Sequence, residues 1–87
     1  MLDAIIQCAL FDIYILEGQL RNPHLFALDD VAIEDIYQTM EDIRTSVEKL
    51  KNGSYCTDDL EFIRYVYATI TDTFLHGLND INFKLQN

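Results

Sequence analysis

The sequence predicts an all-α fold, a small antiparallel three-helix bundle, and three observations carry that reading. Apolar residues recur at alternating spacings of three and four in three separate segments, the rhythm of a helix packing along a neighbour. Turn-forming residues collect between those segments at two places. Only three glycines and one proline occur in 87 residues, so few other positions interrupt regular structure, and no segment alternates as a strand would.

The first helix is expected over residues 2–20, where Leu2, Ile6, Ala9, Ile13, Leu16 and Leu20 form one stripe. It should end near Gly18 to Arg21, because Asn22 precedes Pro23 and a residue before proline is disfavoured in the α region. The second is expected over 30–51. Asp29 or Asp30 is a good N-cap, and Ile33, Ile36, Met40, Ile43, Val47 and Leu50 keep the three-four spacing. Lys49 and Lys51 then supply a basic last turn, and Gly53 a C-cap.

The third helix is expected over 58–78, capped by Thr57 or Asp58, with Glu61 three residues after Asp58 as in a capping box. Its stripe is Leu60, Ile63, Tyr67, Ile70, Phe74 and Leu78, with Ile81 and Leu85 as further members. Gly77 should end or bend it, leaving 79–87 as a frayed end or a short fourth helix, which would make a four-helix bundle.

At this length the chain forms one domain, which buries about 60–65% of its unfolded surface. Fifteen acids against six bases give a net charge of −9, which repels nucleic-acid phosphates and anionic membranes, so neither direct nucleic-acid binding nor membrane binding is expected. Asp3 and Asp12 interrupt the apolar N-terminal run, no basic n-region precedes it, and a cytoplasmic protein is the expectation. Cys8 and Cys56 sit in no metal-ligand spacing and read as reduced thiols.

The first helix carries a second apolar stripe, Ala4, Cys8, Phe11 and Ile15, roughly 150° around the cylinder from the first at about 100° per residue. One neighbouring helix cannot cover both. Either the other two helices flank it, or the second stripe meets another copy or another protein. Association through this helix is the reading preferred from sequence, which makes Cys8, Phe11, Asp12 and Ile15 partner-binding residues and a homo-oligomer the expected state. Asp12 lies in the seam between the stripes, where its carboxylate is expected to reach solvent or a donor without full desolvation.

In the second helix Glu34, Glu41 and Glu48 fall seven apart on one flank and Asp35 and Asp42 on the other, an acidic ridge suited to a basic partner. Tyr65 is expected to face away from the third helix's stripe and, with Tyr55, Phe62, Arg64 and Tyr67 nearby in sequence, supplies residue types common in interface hot spots. Asp72, His76 and Asp80 recur at spacings of four, yet no second cluster completes a coordination shell, so no metal is expected. No nucleophile stands in catalytic context and no glycine-rich phosphate loop occurs, so neither an enzyme nor a cofactor is expected.

These features suggest a non-enzymatic acidic helical protein that binds and modulates another protein, as an inhibitor, adaptor, chaperone or immunity-type factor. The alternative is a nucleic-acid mimic, whose spaced carboxylates would occupy the phosphate-binding groove of a defence enzyme, as in phage anti-defence proteins.

Overall fold

The computed structural model describes the backbone of residues 2–86 and the side chains of residues 2–72. The described residues form three α-helices, α1 (Leu2–Arg21), α2 (Asp30–Asn52) and α3 (Thr57–Gln86), packed into a three-helix bundle. Loops of eight and four residues turn the chain back each time, so α1 and α2 are antiparallel, α2 and α3 are antiparallel, and α3 runs alongside α1 in the same direction.

Local chemistry sets most of the boundaries. α1 closes with the Asn22 side-chain amide donating to the Gly18 carbonyl at 3.1 Å. Residues 22–28 then make a tight connection in which Leu28 N–H donates to the Pro23 carbonyl at 2.9 Å and Ala27 adopts a φ of 53°. Asp29 caps α2, its Oδ1 accepting from Ala32 N–H at 2.8 Å. Gly53, at φ 74°, lets the chain leave α2 in the left-handed region, with the Ser54 and Gly53 amides reaching back to the Lys49 and Leu50 carbonyls. This is the glycine-terminated helix end that the sequence suggested.

The start of α3 differs from expectation. Neither Thr57 nor Asp58 caps it. Cys56 occupies the N-cap, since its carbonyl receives the first helical N–H donors from Asp59 and Leu60. The Asp59 carboxylate reaches back to the Cys56 N–H at 2.9 Å, so Asp59 fills the third-position role of a capping box in place of Glu61. The end of α3 differs too: the helix continues through Gly77 to Gln86 instead of stopping near residue 78. One interior glycine costs only about 1 kcal/mol relative to alanine and, unlike proline, leaves the backbone hydrogen bond in place. No separate fourth helix forms from 79–86; the side chains of Phe74, Leu78, Ile81 and Leu85 lie outside the described residues.

The core is built from Ala9, Ile15 and Leu16 of α1, Met40, Ile43, Val47 and Leu50 of α2, and Ile63, Val66 and Ile70 of α3. The α2 set matches the predicted stripe. In α1 and α3 the buried face is rotated from the predicted one. The inward row of α1 is Leu2, Ile5, Ala9, Asp12, Leu16 and Gln19, still spaced three and four, with Asp12 and Gln19 buried. The reason is geometric. α1 contacts both other helices, while α2 and α3 share a smaller interface with each other. A helix flanked by two partners covers part of each apolar stripe when the seam between them points at the bundle axis, and here Ala9 and Leu16 of one stripe and Ile15 of the other are buried. In α3 the same effect replaces Tyr67 with Val66 on the inward row and leaves Tyr67 36% exposed.

Candidate functional site

Asp12 stands where the sequence suggested a wet boundary, and the structure corrects that placement. Its relative exposure is 0%, and neither carboxylate oxygen has a hydrogen-bond partner among the described residues. Its helical neighbours Ala9, Ile15 and Leu16 are all buried. Burial alone raises its pKa from 3.8 to about 6, because a low-dielectric surrounding disfavours the charged form. A perturbed acid is often a functional one. Among the described residues no hydrogen-bond partner reaches it, and the chemistry this arrangement supports is proton-linked stability.

The remaining α1 residues of the second stripe divide. Ile15 is buried against the core, and Cys8 is partly covered beside α3. Phe11 is 41% exposed and tilts onto Tyr67 with ring centroids 6.1 Å apart. Ala4, the first member of the stripe, is exposed. The second stripe is therefore covered only in part within the bundle, and of the residues assigned to a partner face Asp12 and Ile15 are buried while Phe11 stays exposed. Beside Phe11, which the sequence assigns to a partner face, α1 exposes two residues that the sequence does not assign to it, Leu10 and Tyr14. Their signal is a pair of apolar side chains four apart among the polar residues Asp3, Gln7, Glu17 and Arg21 of the same helix.

The acidic ridge of α2 lies where the sequence put it. Glu34, Asp35, Glu41, Asp42 and Glu48 are all exposed. Two exposed apolar side chains, Val31 and Tyr37, share that outer surface. Little basic charge offsets it: Arg44 turns toward Glu17 of α1 at 3.7 Å, and Lys49 toward Asp59 at 3.5 Å. The ridge keeps its carboxylates in water, with Asp42 accepting a hydrogen bond from the Gln38 amide at 2.9 Å. Tyr65 is 71% exposed on α3, as its position predicted.

Between α1 and α3 a cleft of about 260 Å³ is lined by Ile5, Cys8, Leu60, Ile63, Arg64 and Tyr67. No spacing along the chain records it, because its walls come from two helices distant in sequence. Among the described residues no three His, Cys, Asp or Glu side chains gather as metal ligands; His76 and Asp80 lie outside the described side chains. Cys8 and Cys56 are free thiols. No helix among the described residues is long and apolar enough to cross a membrane.

The geometry defines the chain as a small all-α three-helix bundle with an acidic outer helix. No protein-family model, curated protein or solved structure matches it.

Proposed function

We propose that this protein is a non-enzymatic binding module that docks the acidic outer face of α2 on a basic surface of another protein and thereby modulates it. The observation that supports this reading is the exposure of Glu34, Asp35, Glu41, Asp42 and Glu48 along one helix, in a chain of net charge −9. A ridge of one sign speeds encounter with an oppositely charged partner and orients it. Val31 and Tyr37, exposed at 68% and 59%, supply the apolar contact that charge alone lacks, and tyrosine is a frequent interface anchor. Arg44 and Lys49 are held by carboxylates of α1 and α3, so the ridge is left without neutralising partners from either lysine or arginine at those positions.

The test is affinity capture from host lysate with three forms of the protein: wild type, Glu34→Lys combined with Glu41→Lys, and Phe11→Asp. The reading expects a specific protein that the wild type and Phe11→Asp retain, that the charge-reversed form loses, and that elutes as salt is raised. Loss with Phe11→Asp and retention by the charge-reversed form would move the interface to α1 and overturn the reading. Displacement of the captured protein by nucleic acid would recast the ridge as a phosphate mimic.

A further inference from the structure

We infer that the cleft between α1 and α3 is a binding site for a small amphipathic carboxylate, with Arg64 as its counter-ion. Three features meet there. The walls are apolar: Ile5 on one side, Leu60 and Ile63 on the other. The cleft holds about 260 Å³; a 150 Å³ apolar cavity accepts benzene, so this one accepts a body of about ten non-hydrogen atoms, too little for a helix about 10 Å across. Arg64 also lines the cleft, and it holds no carboxylate or other hydrogen-bond acceptor among the described residues, whereas Arg21, Arg44 and Lys49 each hold one.

An unengaged guanidinium beside an apolar cleft selects the ligand's chemistry. Five N–H donors in a planar fork match a carboxylate bidentately, and burying a hydrocarbon body in the cleft brings its anionic head to that fork. A cation of the same shape would meet Arg64 as a like charge, and a neutral alcohol would gain the apolar contact alone. The Tyr67 ring, already braced by Phe11, forms part of the same wall. The site is separate from the acidic face of α2 and does not depend on the protein-binding reading.

Cys8 provides a reporter, since its thiol lines the cleft while Cys56 is exposed at the far end of the α2–α3 loop. The full chain is alkylated with iodoacetamide in the presence of octanoate, octanol or octylamine, each below its aggregation threshold, and modification of the two cysteines is followed by mass spectrometry. Methyl chemical shifts of Ile5, Leu60 and Ile63 are recorded in parallel, so that a slow thiol does not leave the outcome open. Octanoate is expected to protect Cys8 and shift the three methyls while Cys56 reacts at its usual rate. Arg64→Gln should weaken octanoate about tenfold and leave octanol unchanged, as expected for loss of one charge-assisted contact. Absence of both protection and methyl shifts with octanoate, equal effects from all three probes, or an unaltered octanoate response in Arg64→Gln would each overturn the inference.

Discussion

Among the described residues two carboxylates are buried, Asp12 midway along α1 and Asp59 in the first turn of α3, and their surroundings drive them in opposite directions. Asp59 is 9% exposed yet well provided: the Cys56 N–H donates to it at 2.9 Å, the Cys56 thiol at 3.4 Å and the Lys49 ammonium at 3.5 Å. Its pKa falls below 3.8, the Cys56 backbone hydrogen bond being the largest cause. Asp12 has no donor among the described residues and its pKa rises to about 6. The difference comes from position along a helix more than from depth. The first turn of a helix offers backbone N–H groups that no carbonyl has claimed, whereas in the middle every amide is committed to the residue four back. A mid-helix carboxylate turned to the core can be satisfied only by a side chain from another helix, and the described residues of α2 and α3 present none to Asp12.

The largest test of this contrast is titration of stability. In the native state Asp12 holds its proton up to about pH 6, while in the unfolded chain it releases it near 3.8. The native state therefore binds more protons between those values, and stability falls as pH rises through that window. The displacement corresponds to about 3 kcal/mol at most, and in so small a bundle screening by nearby solvent reduces the expected loss to about 1–2 kcal/mol. Denaturant unfolding of the wild type at pH 4 and pH 8 should show this fall superimposed on the other carboxylates. Asp12→Asn, which copies the protonated shape, should remove that component and be the more stable form at pH 8. Equal pH slopes for the two proteins would show that Asp12 finds a donor or water in solution.

The same contrast explains what the sequence made legible. The caps of α2 follow from local rules, Asp29 accepting an N–H three residues on and Gly53 taking a left-handed φ, and both were readable residue by residue. The acidic ridge was readable because a surface face needs nothing from the rest of the molecule. The orientation of α1 was not, since hydrophobic spacing assigns polar residues to the outside, and here Asp12 and Gln19 occupy inward positions because the apolar stripes on both sides of them are wanted by two different helices. The cap of α3 was missed for a related reason. Serine, threonine and aspartate are the usual N-caps, so Cys56 was passed over, although Asp59 three residues later carried the signal. The α1–α3 cleft, formed by helices distant in sequence, left no trace in either stripe.

A smaller effect probes the satisfied partner. Asp59→Ala removes the acceptor that closes the α3 N-terminus and leaves the Cys56 N–H without its bond. The protein should lose stability above pH 4, where the wild-type carboxylate is charged, and lose progressively less of it, relative to wild type, as pH drops through the lowered pKa of Asp59. That trend opposes the one from Asp12. Hydrogen exchange should quicken at the amides of residues 56–60 while the mid-bundle amides of α1 change far less. Quickening spread evenly over all three helices would mean that Asp59 supports the whole bundle and not one helix end.

The smallest change is expected from Lys49→Met, and it separates the two sources of charge stabilisation at Asp59. The ammonium is half-exposed and 3.5 Å from the carboxylate, in the range where solvent-exposed pairs contribute little. The backbone bond from Cys56 remains in this variant and is the larger cause of the lowered pKa. An NMR titration of the Asp59 carboxyl should therefore move upward in Lys49→Met yet stay below 3.8, and the difference from wild type should vanish in 1 M salt, where the screening length is about 3 Å. A return to the ordinary aspartate value would assign the effect to Lys49, and with it the reason Asp59 tolerates burial at the end of a helix while Asp12, with every nearby amide already committed, does not.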